Sequence, residues 1–306
     1  MFDIKQVLNE KRTNKDGYEY FLFDSFSREE DLQCLADCLN RYCEVVVDLY
    51  PNLNKEKIEN HIVTTLRRIN SIRIDEKDAK IPPMRIIIDE FTRGGKVPFQ
   101  DKKHDGVTFS SKHDGILMLI PDLKCEIEEN ERNNTNKTNG RHTIVHEFLH
   151  SSSVYEFVDN NGQKCYFQGI KFNNARGLFD DLNEGLNEYF TAKVMAKMYP
   201  ETKIERRYPA RVKLVSTIMS AIPESEQSKL FENYVTGNGL QILKYFSQYK
   251  NNDGENFIDF LNKNYQQTGK GISGGESEGD MQVVDEILKY SKSYHYNNDD
   301  ESESFI

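Results

Sequence analysis

His146-Glu147-Phe148-Leu149-His150 is the stretch on which the reading of this chain turns. Residues four apart on an α-helix share one face, so the imidazoles of His146 and His150 converge while Glu147 stands beside them. That pattern suits a catalytic zinc ion, Zn2+. Neutral imidazole is a good ligand for a tetrahedral ion, and three protein ligands leave a fourth position for water. The ion lowers the pKa of that water to roughly 7, and an adjacent carboxylate can take its proton and later pass it to a leaving group. Five residues alone also fit an amphipathic helix with polar punctuation, so a third ligand has to come from elsewhere.

The segment Asp181-Leu182-Asn183-Glu184-Gly185-Leu186-Asn187-Glu188-Tyr189-Phe190 offers one. Its periodicity predicts a second helix, with Glu184 and Glu188 at i, i+4 on one face. One of the two can bind the metal, and the other can accept the free N–H of a ligating histidine and raise its basicity. The chain between the motifs is long enough to leave the first helix, form a hairpin and return.

At these residues the chain resembles a known family. His146-Glu147-x-x-His150 followed by Asn183-Glu184-x-x-x-Glu188 is similar to the gluzincin pattern of metallopeptidases, the thermolysin-like group. The run Leu182 to Phe190 also resembles the corresponding helix in an uncharacterised bacterial group of this class. The resemblance spans roughly residues 115–200. It implies zinc on His146, His150 and Glu184, Glu147 as general base, and Glu188 as the carboxylate that holds a ligating histidine. It also implies a zincin-like fold and a peptide or protein substrate. Two features depart from the pattern: the interval between the motifs is longer than in thermolysin, and no segment supplies that family's downstream histidine.

The chain has 306 residues and a net charge of −10, enough for one large or two ordinary domains. The acidic balance argues against a non-specific nucleic-acid binder and against attraction to anionic lipid. The N-terminal residues Met1 to Glu10 contain no uninterrupted apolar run, and no stretch approaches the ~20 apolar residues of a membrane span. The expectation is a cytoplasmic protein, or one exported without such a signal. The cysteines, Cys34, Cys38, Cys43, Cys125 and Cys165, number five. An odd count does not suit an extracellular disulfide framework, and small buried residues with reduced thiols are expected instead. Cys34 and Cys38 lie at i, i+4, but no nearby histidine or further cysteine pair completes a metal set.

In chain order, four regions are expected: 1–80 with a helical pair, a zincin-like catalytic core over 81–200, a helical subdomain over 201–270, and a linker, short helix and acidic tail over 271–306. Ser27 and Glu30 read as a capping box, opening a helix with Leu32, Leu35, Leu39, Tyr42 and Val46 at helical spacing and ending at Pro51. A second helix from Asn54 carries Ile58, Ile62, Leu66 and Ile69, with His61 read as a surface or core residue. Strands are expected at 84–89, 106–109 and 115–120. The last of these lies where the gluzincin resemblance implies an edge strand that could pair with an extended peptide. Asn161-Gly162 marks a hairpin between 154–158 and 164–170. Glu184 is placed in the first turn of a helix that ends near Tyr199-Pro200. Helices then follow at 208–221, 225–234, 239–250 and 255–264, and a last one at 281–290.

The expected architecture is α+β, a strand-containing N-terminal half with the His-bearing helix and a mainly helical C-terminal half with Glu184. His104, His113 and His142 are alternative third ligands; the pairing of Glu184 with Glu188 favours glutamate. Gluzincins commonly use a Tyr or His to hold the oxyanion, which points first to Tyr208 and then to His295. Two readings stand side by side: a zinc metallopeptidase, supported by Glu147, and a zinc-stabilised binding or regulatory module without turnover.

Overall fold

A computed structural model describes residues 3–13, 19–21, 29–75, 107–111, 115–121, 139–158, 160–162, 164–172, 178–200, 207–268, 284–285 and 294–296. They form an α+β protein, mostly helical with small sheets. The elements are α1 (Ile4–Leu8), β1 (Lys11–Thr13), β2 (Glu19–Phe21), α2 (Glu29–Leu49), α3 (Lys55–Arg68), β3 (Ile69–Asp75), β4 (Val107–Ser111), β5 (Gly115–Pro121), α4 (Asn139–Ser152), β6 (Val154–Val158), β7 (Lys164–Gln168), β8 (Lys171–Phe172), α5 (Leu178–Met198), α6 (Pro209–Ala221), α7 (Glu224–Val235), α8 (Gly239–Ser247), β9 (Tyr249–Asn251), α9 (Phe257–Thr268) and β10 (Tyr294–Tyr296). The capping box at Ser27, the strand expected at 84–89 and the tail beyond Tyr296 lie outside the described residues. So does most of the helix expected at 281–290. Among the described residues, no helix is long and apolar enough to cross a membrane.

Chain contacts divide the protein into two units, Met1–Tyr166 with Thr191–Glu205, and Phe167–Phe190 with Arg206–Ile306. In the first, α2 and α3 pack together and against α4, burying Leu35, Leu39, Tyr42 and Val46 of α2 and Ile58, Ile62 and Leu66 of α3. Asn54 caps α3, its side-chain oxygen accepting the Glu56 N–H at 2.8 Å, which satisfies a backbone donor the helix start leaves open. Tyr42 meets Phe148 of α4 edge to face, ring centroids 5.7 Å apart. A three-stranded sheet of order β3-β5-β4 lies against α4 through β5 and β4. Strand β3 runs parallel to β5, and β4 antiparallel, with Phe109 opposite Leu117.

Two expectations change here. The isoleucine series continues past the end of α3: the chain turns at Arg68, and Ile69 opens β3. Strand β5 is bonded on both sides, so Gly115–Pro121 is central and has no free ladder to offer a peptide.

The second unit is built on the first half of α5. Phe190 packs against Phe231 and Tyr234 of α7 at 4.9 and 5.5 Å between centroids. The Tyr234 hydroxyl donates to Asn187 Oδ1 at 3.0 Å. Gly169 adopts φ +57, and a Cβ there would overlap Asn183 Oδ1. That asparagine oxygen accepts the Ile170 N–H at 3.2 Å, tying the chain between β7 and β8 to α5. Helix α5 opens at Leu178, so Glu184 stands in its second turn rather than the first.

Candidate metal centre

Helix α4 is enclosed on every side. From His142 to Ser153 each residue is buried, although the helix carries three histidines, a glutamate and a run of serines. The serines are satisfied along the chain: Ser151, Ser152 and Ser153 donate to the carbonyls of Glu147, Leu149 and His150, each at 2.9 Å. Buried hydroxyls commonly close on the preceding turn in this way. The imidazoles and the carboxylate are ionisable, and burying such groups is costly unless they are paired or ligating.

His146, Glu147 and His150 are only 4, 5 and 4% exposed. The two imidazoles meet edge to face, with Nε2 of His146 and Nε2 of His150 3.2 Å apart. A tetrahedral ion with Zn–N bonds of about 2.0–2.1 Å holds its nitrogen ligands about 3.3–3.4 Å apart. The observed separation is within a few tenths of an ångström of that value. A carboxylate oxygen of Glu184 completes the group: the ligand atoms of His146, His150 and Glu184 all lie within 4.8 Å of one another. Two imidazoles and one carboxylate are a donor set that could hold a metal ion, and one of those found in catalytic zinc sites.

No family model, curated protein or solved structure matches this chain.

Helix α5 is unusually polar for an element so enclosed. Asp181, Asn183, Asn187, Glu188 and Thr191 are buried, while Glu184 is half-buried. Glu188 Oε1 accepts the backbone N–H of Arg207 at 3.2 Å. Asp181 takes the Arg211 Nε at 2.7 Å, in an ion pair whose side chains are only 6 and 12% exposed. Asp180 pairs with Lys171.

His142 is buried and stacks on His146 with centroids 6.2 Å apart, and it is not a member of the three-residue group. His104 and His113 lie outside the described residues. Tyr208 caps α6 in the left-handed conformation, φ 50 and ψ 51, with the Arg211 guanidinium 5.0 Å above its ring. His295 sits on β10 opposite Lys250 of β9. Among the described cysteines, Cys38, Cys43 and Cys165 are buried free thiols and Cys34 is half-buried. Burial, with Cys34 adding to it, pushes the Cys38 thiol up to about 12. The thiol is therefore held in its neutral form, donating to the Arg141 carbonyl oxygen at 3.8 Å.

Sequence reasoning does not single out Arg211, Gly185 or the Asp181 pair. A Cβ at Gly185 would lie 2.6 Å from the Arg211 carbonyl oxygen. A glycine inside a helical pattern is the available signal of such a close approach, though it does not say to what.

Proposed function

We propose that His146, His150 and Glu184 hold a zinc ion and that the chain is a zinc metallopeptidase of gluzincin type. The observation that carries the reading is the convergence of the two Nε2 atoms at 3.2 Å, with the Glu184 carboxylate in reach of both. When bound, zinc supplies a Lewis acid that acidifies water and polarises the scissile carbonyl.

The chain's own groups supply the rest. Glu147, buried one residue after His146, takes a proton on its carboxylate from the attacking water and delivers it to the leaving amine. The resemblance gives Glu188, whose Oε1 takes the Arg207 N–H, the task of accepting the free N–H of a ligating histidine, a contact that fixes the tautomer and raises basicity. Tyr208 is the first candidate to donate to the oxyanion. In a zincin-like arrangement the substrate strand pairs with a sheet edge beside the metal helix. Because β5 is central, that role passes to β4, which contacts α4 and, among the described strands, is hydrogen-bonded to β5 alone. Main-chain bonding along it suits an extended peptide. Free buried thiols fit a reducing compartment and so a cytoplasmic address.

Elemental analysis of the purified wild type, His146→Ala and Glu184→Ala tests the reading. A stoichiometric zinc in the wild type, lost in both variants, is the expected result. Full retention in Glu184→Ala overturns the glutamate assignment and turns attention to His104, His113 and His142.

A further inference from the structure

Helix α5 carries three carboxylates on one face, Asp181, Glu184 and Glu188, at spacings of three and four residues. The outer two are gripped by a single short segment. The Arg207 backbone N–H donates to Glu188 Oε1 at 3.2 Å, and Arg211 Nε donates to Asp181 Oδ1 at 2.7 Å. Glu184 is the one between them.

The segment is held in a costly conformation. Tyr208 is the only non-glycine residue at positive φ among the described residues, and it precedes Pro209, which further restricts its backbone. A bulky side chain persists in the left-handed region only where its surroundings over-determine it, and such strain gathers at functional sites. Here the left-handed turn aims the Arg207 N–H at one end of the carboxylate row. One helical turn later the Arg211 guanidinium stands over the Tyr208 ring, 5.0 Å from its centroid, and reaches the other end. Gly185, beside Glu184, removes the Cβ that would keep the Arg211 backbone away.

From this arrangement, and resting on the zinc reading above, we infer that Arg211 is a positioning residue for Glu184. Its guanidinium, locked between the Tyr208 ring and Asp181, offsets the charge of the carboxylate row and fixes the rotation of α5, so that Glu184 presents its oxygen to the metal. A buried aspartate stripped of its arginine would instead be an uncompensated charge one turn from Glu184.

The test is zinc affinity, measured by competition with a chromophoric chelator on full-length wild type, Arg211→Ala, Arg211→Lys and Tyr208→Gly. Thermal unfolding of the zinc-free proteins is followed in parallel. Loss of a group that orients a ligand typically weakens metal binding by about 10–100-fold, and Arg211→Ala falls in that range. Arg211→Lys recovers part of the loss, because it keeps the charge and loses the planar, rigid fork of donors. Tyr208→Gly folds, since glycine adopts φ 50 without strain, and it weakens zinc binding while zinc-free unfolding stays close to wild type. Should Arg211→Ala fail to fold, Tyr208→Gly decides the matter. Wild-type affinity in a folded Arg211→Ala or in Tyr208→Gly reduces Arg211 to a structural pair and leaves the zinc reading standing. A wild type that binds no zinc overturns both.

Discussion

Gly185 of α5 lies so close to Arg211 of α6 that a Cβ would stand 2.6 Å from the arginine's carbonyl oxygen and 2.9 Å from Val215 Cγ2. The first obstacle is helix backbone, which cannot swing aside as a side-chain tip can. Alanine is favoured over glycine within a helix by about 1 kcal/mol, so Gly185→Ala sets propensity against overpacking. Overpacking typically costs about 1–3 kcal/mol and wins here, because relief requires α5 and α6 to separate. We expect a lower urea midpoint for Gly185→Ala, by a net loss of up to about 2 kcal/mol. A variant as stable as wild type would mean that the helices have slack at this point.

Glu147 follows His146 on α4 and is buried. Glu147→Gln preserves the volume and removes the base. Loss of a general base lowers turnover by about 10²–10⁴, while the proposed ligands His146, His150 and Glu184 are untouched. The expected outcome is zinc content equal to wild type and hydrolysis of a mixed peptide library reduced to near background. Undiminished hydrolysis would assign proton transfer to another group. Zinc binding without hydrolysis in the wild type as well would favour the binding-module reading.

The two halves of the site are legible for different reasons. His146 and His150 announce themselves by spacing, and their Nε2 atoms do converge. Glu184 stands out because a second carboxylate, Glu188, shares its face. The Asp181–Arg211 pair cannot be read, because the partners are far apart in a chain rich in both charges. The left-handed turn at Tyr208 is equally hidden, since a bulky aromatic before proline is a poor candidate for it. Periodicity places α2, α3 and the later helices, but the spacing of Ile58, Ile62, Leu66 and Ile69 runs through the end of α3 without a mark. Nor does an apolar run such as Gly115–Pro121 reveal whether it is a central or an edge strand, because strand order is decided by partners distant in sequence.

His61 makes stability depend on pH away from the metal centre. It is half-buried on α3, with Nε2 3.4 Å from the Thr65 hydroxyl. Burial first, then the positive charges of Arg68 and Lys57, lower its pKa from 6.5 to about 4. The native chain therefore keeps this ring neutral down to about pH 4, while the unfolded chain protonates it near pH 6.5. Between those values the unfolded state holds a proton that the native state does not, so stability falls as the pH drops and rises as it is raised. Below the native pKa both states are protonated and the loss is complete. A pKa displaced by one between the two states is worth about 1.4 kcal/mol, which gives about 2–3 kcal/mol for a ring with some access to water. Urea midpoints at about pH 7 and about pH 4.5, compared between wild type and His61→Gln, isolate this group, because every other titration is common to the pair. Wild type should lose that margin against the variant on acidification, and a difference that stays constant across the two pH values would show that His61 titrates normally in the folded chain.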